Sequence, residues 1–203
     1  MDNYNQNKEH DMQKIVILNC PPRGGKDTIA EGIIKRSPDF GMASFKGKLI
    51  EIALMVSGIP LEEWEHRYNS ENKELPWSKL GGLSQRNYLI KISEDWVKPV
   101  HGKRYFGDRV LEYIQRNSKN NFIIPDGGFE EEVLPLKEGL TPNSLLILQW
   151  GREGCTFEYD SRDFITDFPE ITRRVRDNNT SIQDQVNAVA IEIDNFFGEH
   201  NDV

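Results

Sequence analysis

The sequence predicts an α/β fold in which a parallel sheet of about five strands is covered by helices on both faces. Three short apolar runs, KIVILN at 14–19, NFIIP at 121–125 and SLLILQW at 144–150, are each followed by a turn or a polar stretch. Continuous apolar runs of this length, rich in branched residues, are typical of strands buried on both faces. Helical patterns lie between them, and strands that alternate with helices form parallel sheets.

The remaining elements follow from apolar periodicity and from residues that begin or end helices. Ser37-Pro38 ends the first helix, and Ser84 is a candidate N-cap for a later one. The apolar face of that later helix is predicted to consist of Tyr88, Leu89, Ile92 and Trp96. We predict helices over 27–36, 48–56, 84–98, 106–116 and 182–197, and further strands over 40–45 and 171–176.

Length and composition indicate one domain. A chain of 203 residues buries roughly 70% of its unfolded surface on folding, so it needs no disulfide staples. We expect a loose tail over residues 1–12 and a single domain over 13–203. Residues 60–83 are polar, dotted with aromatics and broken by Pro and Gly, which predicts a small flexible insert.

Several classes of protein are excluded by composition. The two cysteines exclude a disulfide framework and a zinc ribbon, and the four histidines show no metal-ligand spacing. The polar N-terminus does not resemble a signal peptide, and no apolar run is long enough for a membrane span, so we expect a cytoplasmic protein. The net charge of −8 disfavours a general nucleic-acid coat but leaves room for a local basic cleft.

The segment CPPRGGKDT, residues 20–28, lies between the first strand and the first helix, which is the context a phosphate-binding loop requires. Backbone N–H groups of such a loop and the positive end of the helix attract phosphates. Gly24 and Gly25 permit close approach, and Lys26 can reach the β- and γ-phosphates. We therefore expect nucleotide contacts from Cys20, Pro21, Pro22, Arg23, Gly24, Gly25, Lys26, Asp27 and Thr28.

Two positions differ from the phosphate-loop pattern G-x-x-x-x-G-K-[ST]. Cys20 stands in place of the first Gly, which its small size makes tolerable, and Asp27 stands in place of Ser or Thr. We expect Asp27 to bring a carboxylate near Mg²⁺ and Thr28 to bring a hydroxyl to the α-phosphate.

An acid follows the strand at 121–125, as in a Walker B strand: Asp126. Beside a phosphate loop, such an acid can hold Mg²⁺ or accept a proton from the group that receives a phosphate. Alone, Asp126-Gly127-Gly128 is an ordinary turn sequence, and only the phosphate loop favours a site. The two glycines are then expected to leave room for a bulky group near the backbone.

Arginines are expected around a phosphoryl-transfer site because the reaction depends on positioning and on charge stabilisation. Arg152 and Arg162 flank the polar stretch 151–169, where a lid would lie. For any single arginine a solvated surface charge is the commoner explanation. A local basic cleft would consist of Arg86, Lys98, Lys103, Arg104 and Arg109.

These segments resemble a known family. NCPPRGGKDTIAEGI is similar to the Gly-Lys-Asp-Thr loop of phage-type deoxynucleoside monophosphate kinases, and the resemblance continues through ASFKGKLIEIA, SQRNYLIKISEDWVKP, FIIPDGGFEEEV and VRDNNTSIQDQV, so that it spans 14–197. It implies a P-loop, NMP-kinase-like α/β fold with an acceptor-binding insert at about 60–83 and a lid at about 151–169. It also implies ATP as donor, Mg²⁺ as cofactor, and a closing N-x-x-(S/T) stretch near the adenine.

One departure from that family bears on the acceptor. Phage mononucleotide kinases usually carry Asp-x-Arg-Phe where this chain has Asp126-Gly127-Gly128-Phe129. In this respect the chain looks more like the phage 5-hydroxymethyluracil DNA kinases of thymine hypermodification, which phosphorylate a hydroxymethyl group on a base within DNA. A deoxynucleoside monophosphate kinase, which the acidic net charge favours, is the alternative. A P-loop protein that binds nucleotide without transfer chemistry is a further one.

The resemblance also implies roles for individual residues. The expected catalytic residues are Lys26, Asp126 and Arg152, the last closing over the transferring phosphate together with Arg162. The expected acceptor contacts are Arg86, Arg104, Gly127 and Gly128. The expected Mg²⁺ ligands are Asp27, Thr28 and Asp126. The expected partners are a nucleotide and DNA that contains modified thymine, in a host cytoplasm and away from membranes.

Overall fold

The computed structural model describes residues 13–117, 119, 121–158 and 160–199, without the side chain of Glu71. The tail predicted over residues 1–12 lies outside the described residues. The predicted fold class is confirmed: a parallel five-stranded sheet is surrounded by helices.

The sheet has the strand order β2-β3-β1-β4-β5, and every neighbouring pair is parallel. Its strands are β1 Ile15–Asn19, β2 Phe40–Met42, β3 Asn121–Ile124, β4 Leu145–Gln149 and β5 Thr172–Arg174. All five residues of the central strand β1 are buried, so the sheet is covered on both faces, as its continuous apolar sequence predicts. In register, Ile17 pairs with Ile124 on one side and with Ile147 on the other, which aligns the ends of three strands.

The helices are α1 Lys26–Arg36, α2 Phe45–Ser57, α3 Leu61–Tyr68, α4 Gln85–Lys91, α5 Lys98–His101, α6 Tyr105–Arg116, α7 Glu130–Gly139 and α8 Ile182–Glu199. A π-helical turn, Ile92–Val97, joins α4 to α5. Helix α1 packs against α8, and α6 packs against α7 and α2. Within the described part of the chain, the helices are all too short or too polar to cross a lipid bilayer.

A second apolar cluster lies beside the main core. It is built around Trp64 of α3, which is 1% exposed, and it includes Leu80, Leu89 and Phe106. Segment 60–83, predicted as an insert, contributes α3 and two short 3₁₀ turns, Glu71–Glu74 and Ser78–Leu80. This cluster packs the segment against α2, α4 and α6, and so forms one wall of the site described below.

Several features differ from the predicted elements, among them helix α3, which lies in the segment predicted as a flexible insert. Helix α7 was not predicted, because its sequence contains Pro135 in the interior, where a missing N–H and the ring disfavour a helix. The π turn shifts the face of the predicted helix 84–98 by adding a residue to one turn. The prediction that Trp96 lies on the buried face was therefore wrong: Trp96 is 51% exposed, and Val97 is buried instead.

Gly107 provides a test of the packing between α6 and α7. A Cβ at this position would lie 2.2 Å from the carbonyl oxygen of Glu132, which is backbone and cannot swing away. We expect Gly107→Ala to lower the free energy of unfolding by about 1–3 kcal/mol, as overpacked cores do. Chemical denaturation measures this change.

The matched control is Gly198→Ala in α8, where nothing lies within 4 Å of the added Cβ. There the change is expected to be neutral or to stabilise the helix by up to about 1 kcal/mol. Equal effects at the two glycines would contradict the assigned packing of α6 on α7.

Candidate active site

The loop at 20–28 connects the end of β1 to the start of α1, as predicted. Two of its residues have left-handed backbone conformations, Arg23 with φ 64° and Gly25 with φ 93°. The N–H of Gly24 donates to the carbonyl of Pro21 at 3.0 Å, which closes the turn. This conformation is of the kind that points successive N–H groups inward and makes a concave anion site.

Lys26 lies inside this loop and is only 8% exposed. Its Nζ donates to the carbonyls of Cys20 and, at 3.1 Å, Pro21. Burial lowers the pKa of Lys26, and the nearby positive charge of Arg162 acts in the same direction. A bound phosphate would restore a full counter-charge to this ammonium group.

Cys20 fills the space that the phosphate-loop pattern normally leaves to Gly. A Cβ at position 24 would lie 2.3 Å from the Sγ of Cys20, so the thiol fits here because residue 24 is glycine. Burial raises the pKa of Cys20 to about 11, which keeps the thiol neutral. The substitution of Gly by Cys is therefore accommodated without placing an anion in the loop.

Two buried side chains that the sequence did not single out hold the loop from behind. The indole Nε1 of Trp150 and the amide Nδ2 of Asn178 both donate to the carbonyl of Gly24 at 2.9 Å. These bonds turn that carbonyl away from the loop interior, where it would repel phosphate. The signals were present in the sequence, because Trp150 ends the third apolar run and Asn178 begins the N-x-x-(S/T) stretch.

Asp126 lies beside the loop, one residue beyond Pro125 at the end of β3, and is 8% exposed. Its carboxylate accepts hydrogen bonds from Ser44 Oγ at 2.8 Å, from the N–H of Phe45 at 3.1 Å and from the N–H of Lys46 at 2.8 Å. Asp126 therefore caps the N-terminus of α2, where a negative charge is favourable. The carboxylate oxygens have further lone pairs that a substrate hydroxyl or a water can use.

Of the three predicted Mg²⁺ ligands, Asp27 and Thr28 are exposed at the start of α1, whereas Asp126 is buried and bonded to the start of α2. Among the described residues no group of three His, Cys, Asp or Glu side chains is suited to enclose a metal. Mg²⁺ is usually bound through one or two protein groups together with phosphates and waters, so an enclosing set of protein ligands is not required.

A cavity of about 170 Å³ opens next to Asp126, and we call it the acceptor pocket. It lies between α2, the π turn, the start of α7 and the segment around residue 161. Its apolar wall consists of Phe45, Leu49, Leu89, Ile90, Phe106 and Phe129. Its polar lining includes charged residues that the sequence alone did not indicate, Lys46 and Glu132 among them.

Lys46 follows the first residue of α2 and faces Asp126. Burial by itself would lower the pKa of Lys46, but the charges of Asp126, Tyr68 and Asp27 together outweigh it and raise that pKa. Lys46 lies in the segment ASFKGKLIEIA, but in a single sequence no pattern distinguishes a functional lysine in the first turn of a helix from any other. Its place beside Asp126 follows only from the fold.

Arg86 and Arg162 meet at one buried carboxylate, that of Asp160. Arg86 donates to Asp160 Oδ2 at 3.0 Å, and Arg162 donates to both oxygens, each at 2.9 Å. Burial by itself would raise the pKa of Asp160, but the hydrogen bonds and charges of the two arginines outweigh it and hold that pKa below its ordinary value. Asp160 thus fixes both guanidinium groups at the pocket.

The space over Gly127 and Gly128 is occupied by the protein itself. A Cβ on Gly128 would lie 2.7 Å from the Cβ and Cγ of Arg162, and a Cβ on Gly127 would lie 2.3 Å from Ile17. The glycines allow the stem of Arg162 to lie across the backbone after Asp126. The room that we expected for a bulky ligand is filled by these side chains, which gives the glycines a packing role.

The predicted basic cleft is not present as a set of free cations. Each candidate besides Arg86 pairs with a glutamate: Lys98 with Glu94, Lys103 with Glu131, Arg104 with Glu138 and Arg109 with Glu112. The structure does not bring Arg104 to the acceptor pocket, because Glu138 lies at the opposite end of α7 from Asp126. Arg152 does contact the loop, through a hydrogen bond of 3.0 Å to the carbonyl of Arg23.

Comparisons with known proteins give no family assignment. No protein-family model matches the sequence, and no curated protein matches it significantly. Among solved structures, a gluconokinase from Sinorhizobium meliloti 1021 has a TM-score of 0.47 at 12% identity, covering 94% of this chain and 97% of that one. A sugar kinase from Janibacter sp. HTCC2649 has a TM-score of 0.44 at 14% identity, covering 90% and 95%. Similarities this low transfer neither activity nor substrate.

Asp160 provides a test of the charge arrangement at the pocket. Because its pKa is depressed in the folded state, its ionised form contributes stability above the unfolded pKa, and this contribution is lost as the pH falls through the folded value. We expect Asp160→Asn to lower the free energy of unfolding at pH 7 by about 1–3 kcal/mol, less than for a fully buried pair because Arg86 is part-exposed. Denaturation of both proteins between pH 7 and 2 measures this.

The difference between wild type and Asp160→Asn should shrink below about pH 4, the ordinary range of an Asp carboxyl. Asp163→Asn, whose carboxylate makes only a local bond to the N–H of Phe164, is the control and should cost less. A pH-independent difference would contradict the charged link between Asp160 and the two arginines.

Proposed function

We propose that this protein is an ATP-dependent kinase that transfers the γ-phosphoryl group of ATP to a hydroxyl held in the acceptor pocket. The observation that carries the proposal is the juxtaposition of a phosphate loop containing Lys26 with a second, separate pocket that begins at Asp126. A protein that only binds nucleotide needs no such second pocket beside the terminal phosphate.

The residues of the site support distinct parts of the reaction. The loop backbone and Lys26 would hold the phosphates of ATP, and Asp27 with Thr28 would contact the Mg²⁺ that accompanies them. Mg²⁺ when bound supplies charge neutralisation for the transferring group. Lys46 and Arg162 lie between loop and pocket, where negative charge develops during transfer. Arg152 donates a hydrogen bond to the carbonyl of Arg23, so its side chain would move together with the loop.

Asp126 has a positioning role toward the acceptor hydroxyl. Its carboxylate accepts three hydrogen bonds from the protein and can accept one more from a hydroxyl. A primary alcohol has a high pKa, and phosphoryl transfer passes through a loose transition state in which early deprotonation contributes little. Orientation of the hydroxyl is therefore the main contribution expected of Asp126.

The acceptor that we propose is the hydroxymethyl group of 5-hydroxymethyluracil within DNA. Support comes from the sequence resemblance and from the apolar wall of the pocket, where Phe45, Phe106 and Phe129 suit a planar ring. Arg86 and Arg162 are both engaged by Asp160, so neither guanidinium group is free to bind an acceptor phosphate in this arrangement, which favours an uncharged ring. A base in a duplex would have to leave the stack to reach this pocket.

The alternative acceptor is a deoxynucleoside monophosphate, which would make the protein a nucleoside monophosphate kinase. One observation favours it: the cations expected to bind DNA phosphates are paired with glutamates, so a polymer has few free contacts. Lys46, Arg86 and Arg162 also line the pocket and could face a phosphate if Asp160 released the arginines. The two acceptors are separated by experiment.

The test uses γ-labelled ATP with Mg²⁺ and three acceptors in parallel: single-stranded DNA that contains 5-hydroxymethyluracil, the same DNA with thymine, and the four dNMPs. We expect label in the first only, and a loss of roughly 10²–10⁴ in rate for Asp126→Asn. Label confined to dNMPs would support the monophosphate kinase. If ATP binds but no acceptor is labelled, the result would support a P-loop protein that binds nucleotide without transfer chemistry.

A matched variant separates catalysis from the capping of α2. Ser44→Ala removes one hydrogen bond to Asp126 and keeps the carboxylate, so it should cost about 1 kcal/mol of stability and little rate. If Ser44→Ala slowed transfer as much as Asp126→Asn, the effect of Asp126 would be that of a helix cap and not of an acceptor contact.

A further inference from the structure

Glu132 is a buried acid that the proposed function does not use. It lies in the first turn of α7, lines the acceptor pocket, and is only 6% exposed. Its backbone is held in place by α6, since Gly107 lies so close to the carbonyl of Glu132 that a single Cβ would clash. The side chain therefore enters the pocket from a rigid position.

The structure describes all the residues that line the pocket. Among the described residues, none forms a hydrogen bond with the carboxyl group of Glu132. Its oxygens are not fully enclosed and keep access to the pocket, where a bound molecule can supply the hydrogen bonds that buried polar groups nearly always make. By contrast, the other two acids buried at the pocket accept hydrogen bonds from the protein: Asp126 from α2, and Asp160 from the arginines. Among the described residues, Glu132 is thus the buried acid of the pocket whose carboxyl group makes no hydrogen bond to the protein.

We propose that Glu132 is the residue that recognises the acceptor, through a pair of hydrogen bonds from its neutral carboxylic acid to a neighbouring donor and acceptor on a planar ring. The imide edge of a uracil ring, with an N–H beside a carbonyl, has this chemistry. The acid O–H donates to the ring carbonyl, and the acid carbonyl accepts from the ring N–H. This inference rests on the proposed kinase function and specifies which chemical group of the acceptor the pocket recognises.

The surroundings of Glu132 keep it neutral near pH 7. Burial, and after it the negative charge of Asp126, raise the pKa of Glu132 to about 8. Lys98 on α5 opposes this, whereas Glu131 on the same turn and Glu94 on the π turn act with it. Helix α6 contributes Phe106 and Gly107 on its side, neither of which is charged. The neutral acid is a hydrogen-bond donor, which a carboxylate is not.

The π turn supplies the opposite side of this end of the pocket. Ser93 and Glu94 both line it, and the Ser93 hydroxyl donates to Glu94 at 2.9 Å. Lys98 pairs with Glu94 at 2.6 Å and lies over the ring of Phe129 at 4.5 Å. Because Lys98 is bound to Glu94, it does not neutralise Glu132 directly, and the acid keeps its proton.

The test compares Glu132→Gln with Glu132→Leu, using single-stranded DNA containing 5-hydroxymethyluracil and the dNMPs as acceptors. Gln has one donor and one acceptor, as a neutral acid has, so we expect the KM for the modified DNA to stay within about threefold at pH 7. Leu has neither, and we expect that KM to rise about tenfold or more, with the KM for ATP unchanged. Glu131→Gln, on the same turn but 41% exposed, is the control and should leave both KM values unchanged.

The pH dependence separates recognition from a purely structural role. In the wild type the acceptor KM should rise above about pH 8, as Glu132 ionises, whereas in Glu132→Gln it should stay flat. In addition, the folded state should lose stability between pH 4.5 and 8, because the unfolded chain ionises first, and Glu132→Gln should abolish this loss. Thermal unfolding at pH 5, 7 and 8.5 measures the second effect without any substrate.

The outcomes distinguish this inference from the proposed function. Transfer to an acceptor with the same KM in wild type and Glu132→Leu would overturn the role of Glu132 while leaving the kinase in place. Transfer to no acceptor would overturn the kinase, and the thermal unfolding data would still report whether Glu132 is a buried, neutral acid. A rise of KM in Glu132→Gln equal to that in Glu132→Leu would show that the neutral-acid pairing is wrong.

Discussion

The parallel alignment of the five strands is the constraint on which the candidate site depends. Because parallel strands all end at the same edge of the sheet, the segments that follow β1, β3 and β4 are brought side by side. Those segments carry the phosphate loop, Asp126 and Trp150 respectively. Hydrogen bonds from Trp150 to Gly24 and from Asn19 to the carbonyl of Gly127 join these segments, and α2 is bonded to Asp126. The proposed nucleotide site and the acceptor pocket thus share one edge.

The acceptor pocket is lined by acids and cations together. The side chains of Asp126, Asp160 and Glu132 are buried around the pocket, and the cost of burying each carboxyl group is offset in a different way. Asp126 is bonded to the N-terminus of a helix, Asp160 is paired with two guanidinium groups, and Glu132 keeps its proton. Since none of the three is left as an unpaired buried anion, the pocket can be dry enough for phosphoryl transfer without hydrolysis.

The sequence was sufficient for the parts of the fold that have a local signature. Apolar runs located the strands, and the Gly-Gly-Lys segment and Asp126 were found by their positions after strands. Contacts between distant segments had no such signature: Asp160 binds Arg86 across 74 positions, and Lys46 reaches Asp126 across 80. The role of Gly128 was misjudged for the same reason, since only the fold shows that Arg162 lies over it. Helix α7 was hidden by Pro135, whose cost is offset by packing on α6.

Binding of ATP to the loop around Lys26 is the central claim of this account, and calorimetric titration of Mg²⁺-ATP tests it most directly. Lys26→Met keeps an unbranched side chain of similar length and removes the charge, while Lys35→Met makes the same change at the exposed end of α1. We predict tight binding of Mg²⁺-ATP to wild type and Lys35→Met, and an affinity for Lys26→Met reduced by about tenfold or more, as for loss of a charged hydrogen bond. Equal affinities in all three proteins would contradict the assignment of the phosphate loop.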